Sequence, residues 1–260
     1  DDREKYKMDK GNYLLETYTE GDVFNFGNIF LGLPTPDKVL KEINSNKKVS
    51  IDASGRTDAG VHAINQKAHF DLDIKITPDR LIKGMNALLP DDIYIKKIEC
   101  VADNFHARFD AIGKEYVYKI HNSNIRDPFM EKRVCFYPQH LDMELMQRAA
   151  KAFEGTHDFR AVRSEGTQTK TTVRTVHWCK AEKQGDIITV SICANGFLYN
   201  MVRIIAGTLL KVGSGQFAPE DMEGIIQGRD RSLAGPTAPA KGLTLIEIRY
   251  PNYQKYLFED

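Results

Sequence analysis

Apolar residues along this chain recur with two periods, and the changes from one to the other outline its elements. Val39, Leu40 and Ile43 share one side of a helical turn, so Pro36 to Ile43 reads as a short helix. Lys48 to Ala53 and Val61 to Leu72 read as strands that flank a loop. Thr77-Pro78 then supplies an N-cap followed by proline at the first helical position. Leu81, Ile82, Met85, Leu88 and Leu89 fall on one helical face until Pro90 stops it. Ile93 to Val101 is a further strand. Tyr116 to Ile120 is another, with Tyr116, Tyr118 and Ile120 on one face and Val117 on the other.

The same ingredients return in the second half. Asp142 to Phe153 is helical and closes at Gly155. Arg174 to Ala181 and Asp186 to Cys193 read as paired strands turned by Lys183-Gln184-Gly185-Asp186. Phe197 to Val212 is a strongly apolar helix, Pro219 to Gln227 a shorter one, and Leu243 to Arg249 a closing strand. Tyr6 to Pro34 has no clean period, and Arg160 to Lys170 has loop composition. The expected organisation is α+β in two halves of similar content. Residues 1–112 carry a loop with Asp58, and 113–260 carry a helix with Arg203. The likeness of content points to an internal duplication, although no sequence repeat marks one.

Composition narrows the classes. The 260 residues are 42% hydrophobic and 28% charged, the mixture of an ordinary globular protein with length for a sizeable core. No apolar run approaches the roughly 20 residues of a membrane helix, and no signal-peptide pattern opens the chain. A cytoplasmic location is expected. The chain begins Asp1-Asp2-Arg3 without Met, so the natural start is expected upstream. Cys100, Cys135, Cys179 and Cys193 are widely spaced and read as reduced thiols. Basic and acidic residues balance at 36 each, so a nucleic-acid partner requires a local basic cleft rather than an overall positive charge.

Three positions carry candidate chemistry. Ala53 to Ala63 reads Ala-Ser-Gly-Arg-Thr-Asp-Ala-Gly-Val-His-Ala. It sets Asp58 in a tight loop between two glycines, beside Arg56. Glycines permit positive φ and close approach by another molecule. An aspartate in a loop more often caps its own turn. Arg203 is flanked by apolar residues at nearly every helical neighbour position, so its guanidinium must either snorkel to the surface or meet a carboxylate. Asp58 is the carboxylate that needs such a partner to stay ionised. Tyr116 stands on a strand beside Tyr118, where a tyrosine ordinarily fills one side of a core. Arg160, Arg163, Lys170 and Arg174 form a candidate phosphate-contacting group in a loop setting. His62 and His69 lack a helical ligand spacing, and no acid or cysteine completes a zinc set, so no metal is expected. Neither a P-loop nor Gly-x-Gly-x-x-Gly is present.

The Ala53–Ala63 stretch closely resembles the active-site motif of the tRNA pseudouridine synthase A family, whose Gly-Arg-Thr-Asp aspartate is catalytic and here is Asp58. Asn195 to Arg203 (Asn-Gly-Phe-Leu-Tyr-Asn-Met-Val-Arg) is similar to a second family motif, whose arginine pairs with that aspartate. Phe105 to Tyr118 contains a third, whose tyrosine, here Tyr116, stacks on the target uracil and is a candidate to move the proton from C5. Thr171 to Val176, Gly155 to Phe159 and Gly235 to Leu243 also match, the last as a loop beside the active site that ends on Leu243. The likeness runs from about Lys48 to Arg249. The family's N-terminal Tyr-Asp-Gly and Gln are absent, and Glu20 to Gly27 is the nearest stretch.

The resemblance implies a pseudouridine synthase fold, with largely antiparallel sheets around a central RNA-binding cleft. It implies isomerisation of uridines 38, 39 and 40 in the tRNA anticodon stem-loop, without metal or other cofactor. Asp58 would act first, as nucleophile or as base at the ribose. Arg56 would hold the loop or the space left by the flipped base. A homodimer binding one tRNA across both subunits is expected. Two rival readings stand beside this one: a catalytically silent RNA-binding relative, and an aspartyl phosphotransferase using Asp71 or Asp73 with magnesium.

Overall fold

The computed structural model describes residues 11–19, 36–55, 57–74, 76–166 and 169–251. The expectations for Arg56 and for Glu20 to Gly27 fall outside these residues. The chain divides into two compact units, Asp1–Ile112 with Glu247–Asp260, and Gly113–Ile246.

The first unit contains β1 (Gly11–Thr19), α1 (Pro36–Ile43), β2 (Ile51–Ala53), β3 (His62–Leu72), α2 (Pro78–Leu88) and β4 (Ile93–Cys100). Strand β1 lies between β3 and β4, antiparallel to both, and β2 pairs antiparallel with β3. Helices α1 and α2 bury Val39, Leu40, Leu81 and Met85 in one core with Leu15, Ala68, Phe70 and Ile95. At the opposed pair Tyr13 and Phe70 the rings stack at 5.6 Å. Asn86 fastens α2 to β4: its amide donates to the Ile95 carbonyl at 2.9 Å and accepts from the Ile95 N–H at 2.8 Å. The predicted stripe on α2 holds at Leu81 and Met85 but fails at Leu88, which is 43% exposed at the last helical position. Strand β1 shows no period in sequence because Tyr13, Leu14 and Leu15 are buried in succession, Leu15 in the helix-covered core and Leu14 in a second cluster with Val101, Phe105 and Ala107.

The second unit contains β5 (Gly113–His121), β6 (Cys135–Phe136), α3 (Met143–Lys151), β7 (Gly155–Asp158), β8 (Val173–Gln184), β9 (Ile187–Ala194), α4 (Met201–Gly213) and α5 (Asp221–Gly228). Strands β5, β9, β8 and β7 run side by side and antiparallel, while β6 pairs parallel with β5. Helix α3 packs on β8 and on α4. Asp142 caps α3 by accepting from the Glu144 and Leu145 N–H groups. The turn between β8 and β9 is tightened by Gly185 at φ 57°. Strand β10 (Leu243–Arg249) spans the boundary between the units in sequence. The mixed, largely antiparallel architecture is the α+β class that the sequence predicts.

Helix α4 starts later than its apolar run. The pattern predicts helix from Phe197, yet Phe197 to Asn200 form an irregular entry, and Asn200 sits in the left-handed region at φ 60°. Asparagine tolerates that conformation better than a β-branched residue. Of the apolar residues of the entry, Leu198 is buried and Phe197 partly so, while Tyr199 is exposed.

Candidate active site

The Asp58 loop is held from behind by a side chain that the sequence does not flag. The Asp58 carbonyl accepts from the Val61 N–H at 3.0 Å, closing a turn with Gly60 at φ 82°, where a Cβ would be strained. Thr57 is buried and Asp58 half-buried. Upstream, Ser54 is fully buried and its N–H donates to the Lys67 carbonyl at 2.8 Å. The amide of Gln66, itself fully buried, completes the clamp. Its Oε1 accepts from Ser54 Oγ at 2.9 Å, and its Nε2 donates to the Gly55 carbonyl at 2.9 Å. The carboxylate of Asp58 thus projects from a short arc pinned at both ends.

Gln66 belongs to a run of three buried polar residues on β3, each with its own partner. Asn65 Nδ2 donates to both carboxylate oxygens of Glu247 at 3.0 Å. Lys67 pairs with Glu16, directly across the ladder on β1. Most buried polar groups in native proteins have a hydrogen-bond partner; among the described residues Asn65 Oδ1 is an exception. The trace of this arrangement in the sequence is that Asn65-Gln66-Lys67 breaks the alternation that resumes at Ala68-His69-Phe70-Asp71-Leu72.

Arg203 lies in the first turn of α4 and is half-buried. Its Nε donates to the Ala238 carbonyl at 2.8 Å, and its Nη1 to Asn200 Oδ1 at 2.9 Å. The Ala238 N–H returns a bond to the Arg203 carbonyl at 3.1 Å. These contacts orient the guanidinium plane. They also explain the chemistry of the Gly235 to Leu243 loop. A Cβ on Gly207 would stand 1.8 Å from the Pro236 carbonyl oxygen, and one on Gly235 would stand 2.6 Å from Thr208. Glycine on each side lets helix and loop meet backbone to backbone. Thr208 joins them, donating to the Ile204 carbonyl and accepting from the Gly235 N–H at 2.9 Å.

Tyr116 is half-buried on β5, with its ring edge-on to Phe197 at 5.1 Å. Tyr118 fills the core beneath the loop and donates to the Pro239 carbonyl at 2.8 Å; burial pushes its hydroxyl far above the ordinary tyrosine range. Leu243 is buried at the start of β10, directly after the 3-10 turn Ala240–Gly242. Tyr116, Arg203 and Leu243 all lie in the second unit or on its boundary strand, and Asp58 lies in the first.

One group of potential metal donors escaped the sequence. Asp52, His69 and His106 come from three segments and present ligand atoms within 4.8 Å of one another. The rings already serve the backbone: the Ala107 N–H donates to His69 Nδ1 at 3.2 Å, and the Arg108 and Phe109 N–H groups point to His106 Nδ1 at 3.2 and 3.4 Å. Burial, then the neighbouring His106, lowers the His69 pKa. All four cysteines are free; Cys179 is buried, which together with Glu154 pushes its thiol up to about 12.

The first unit thus holds the Asp58 carboxylate on a glycine turn, and the second braces Arg203 at the head of an apolar helix. The comparisons identify the family. The tRNA pseudouridine synthase family model matches residues 24–110 and 149–251. The tRNA pseudouridine synthase A of Geobacillus sp. (strain WCH70) is 43% identical over 216 residues, covering 83% of this chain and 87% of that protein. That of Bacillus licheniformis is 45% identical over 217 residues, covering 83% and 88%. That of Ruminiclostridium cellulolyticum is 47% identical over 203 residues, covering 78% and 83%. Among solved structures, the crystal structure of a Cbf5-Nop10-Gar1 complex aligns at a TM-score of 0.38 and 14% identity, covering 91% of this chain and 48% of that one. This chain belongs to the tRNA pseudouridine synthase family, whose members isomerise uridine to pseudouridine in tRNA.

Proposed function

We propose that the protein converts uridine to pseudouridine at positions 38, 39 and 40 of the tRNA anticodon stem-loop, with Asp58 as the catalytic nucleophile. The observation that carries this reading is the setting of Asp58. It is a carboxylate on a glycine turn, pinned by Val61 and, through Ser54 and Gly55, by the buried Gln66 amide, in a chain of this family. Asp58 attacks C1′ as the C1′–N1 bond breaks. The freed uracil turns, C5 bonds to C1′ and displaces the carboxylate, C5 loses its proton and N1 gains one. Atoms and electrons balance within the nucleotide, so the reaction requires no cofactor.

Arg203, its plane fixed by Ala238 and Asn200, is the cation that pairs with Asp58 in the working enzyme. Tyr116 stacks on the extruded uracil. A base on an aromatic ring gains ~1–3 kcal/mol, which offsets part of the few kcal/mol that extrusion costs. Leu243 and Arg56 are further substrate-binding residues. The working form is a homodimer in the cytoplasm. No helix among the described residues is long and apolar enough to cross a membrane. Sedimentation of the purified protein reads the dimer directly.

The test is pseudouridine mapping on an unmodified tRNA transcript with the unmutated protein and with Asp58→Ala. The expected result is modification in the anticodon stem-loop that disappears in the variant while tRNA binding persists. Equal turnover by both proteins overturns the role of Asp58. Binding without modification by the unmutated protein makes the chain a silent RNA binder.

A further inference from the structure

The second unit carries an open concavity of about 720 Å³ whose wall draws its charge from two segments distant in sequence. Arg160, Arg163 and Lys170 come from the irregular connection after β7; Arg229 and Arg231 come from the exit of α5. Three acids share the wall, Asp158, Glu165 and Asp230, so five cationic groups face three anionic ones in a chain whose overall charge is zero. Of the four basic residues that the sequence grouped together, Arg174 is absent from this lining. Its guanidinium turns back to the Thr171 and Val173 carbonyls.

Two details show a built site rather than scattered surface charge. Arg229 occupies the left-handed region at φ 55°, the helix-end position where glycine is the unstrained residue. A strained non-glycine residue is the kind of outlier from which a role is inferred. In addition, Asp158 works as a fixed anchor. It accepts from Thr172 Oγ1 at 2.6 Å and from the Arg160 N–H at 3.2 Å, and it pairs with Arg229 at 3.4 Å and with Arg160 at 3.8 Å. Burial alone would raise its pKa; the Thr172 hydroxyl, the Arg160 N–H and the two guanidinium groups together hold it below the usual carboxylate range. Arg231 donates to the Ala234 carbonyl and to Thr237 Oγ1, each at 3.4 Å, and its partial burial disfavours the charged form that an incoming anion would stabilise.

We propose that this concavity is an anchor for the phosphodiester backbone of the RNA substrate. The proposal rests on the RNA-modifying reading above. The pocket is also tied to the candidate catalytic arginine by two short routes. The Ser164 N–H donates to the Tyr199 carbonyl at 3.0 Å, and Ser164 Oγ accepts from Asn200 Nδ2 at 3.0 Å; Asn200 in turn accepts from Arg203. On the other side Arg231 reaches Thr237, next to the Ala238 carbonyl that holds Arg203 Nε. A backbone phosphate seated among Arg163, Arg229 and Arg231 therefore orders the segments that orient Arg203.

The experiment is equilibrium binding of a tRNA transcript over a range of salt concentrations, with the unmutated protein, Arg229→Gly and Lys170→Ala. Glycine at 229 relieves the backbone strain and Lys170 is exposed, so both variants keep the native fold, and equal melting temperatures check this. Each variant is expected to bind several-fold more weakly, with the slope of log affinity against log salt falling by roughly 0.7–0.9 per lost phosphate contact. Unchanged affinity and slope in both variants overturn the proposal. If the unmutated protein makes no pseudouridine but the variants still lose binding and slope, the anchor stands and the isomerase reading falls.

Discussion

Replacing Gln66 by leucine removes the clamp behind the Asp58 loop while nearly preserving volume. Two hydrogen bonds disappear, a buried one from Ser54 Oγ and a part-buried one to the Gly55 carbonyl, both 2.9 Å long. Both groups lose that bond, and Ser54 is fully buried. An unsatisfied buried polar group costs about 1–3 kcal/mol, and leucine's own burial returns part of that. The net loss is set at roughly 2–4 kcal/mol, a large part of the ~5–15 kcal/mol typical of a native protein. At about 2–4 °C per kcal/mol for a chain of this size, the melting point drops by roughly 5–15 °C. The loop carries the proposed nucleophile, Asp58, only three residues beyond Gly55, and a displacement of about 1 Å costs on the order of 10²-fold in rate. Single-turnover pseudouridine formation, measured below the melting transition, should therefore fall far more than tRNA affinity. Ser54→Ala, which removes only one of the two bonds, should fall between the unmutated protein and Gln66→Leu, and the double variant should cost less than the sum of its parts. A Gln66→Leu protein that melts within about a degree of the parent and turns over at the parental rate would refute the clamp.

Gly207→Ala tests the contact between α4 and the C-terminal loop. Its Cβ falls 1.8 Å from the Pro236 carbonyl oxygen, so the loop must move. Overpacking of this kind typically costs about 1–3 kcal/mol, and turnover should drop as Ala238 releases Arg203; a native melting curve with full activity would show that the loop yields freely. The third prediction concerns His69, whose pKa in the folded protein is lowered by burial and by His106, against the opposing influence of Asp52 and Asp71. The unfolded chain therefore binds that proton more tightly, so stability falls as pH drops below about 6.5, the ordinary histidine value. His69→Asn should flatten the acid limb of a plot of melting temperature against pH, and parallel curves for the two proteins would remove His69 from the account.

Much of the fold was legible because most elements bury one face. The stripe on α2, the alternation in β5 and the Lys183–Asp186 turn each follow from a single period or a single glycine. Strand β1 was opaque for the opposite reason: Tyr13 and Leu14 are buried on opposite faces, and no alternation survives. The start of α4 was misplaced because apolar residues in a loop and in a helix look alike until Asn200 is seen in the left-handed region. Asp58, Tyr116 and Arg203 stood out as candidates through the motifs and patterns around them. Gln66 did not, because a strand glutamine is ordinarily a solvent-facing residue, and only the pairing of β2 with β3 brings it beneath Ser54. Arg229 and Arg231 were invisible as partners of Arg160, since nothing in the sequence shows that the exit of α5 returns to the connection after β7.

The return of Glu247–Asp260 to the first unit has a consequence for how the protein is made. At about 5–20 residues per second, the ribosome needs roughly 7 to 27 seconds to deliver the intervening second unit, Gly113–Ile246. Throughout that interval the nascent first unit lacks Glu247 for Asn65, the Arg249 carbonyl for the Ile112 N–H, and the Tyr250 hydroxyl for the Ala107 carbonyl. The second unit, an unbroken stretch, meets no such delay. The half that bears Asp58 is thus completed last, and a message cut short after Ile246 yields a chain that holds Arg203 in a finished unit while leaving the carboxylate on an unfinished one.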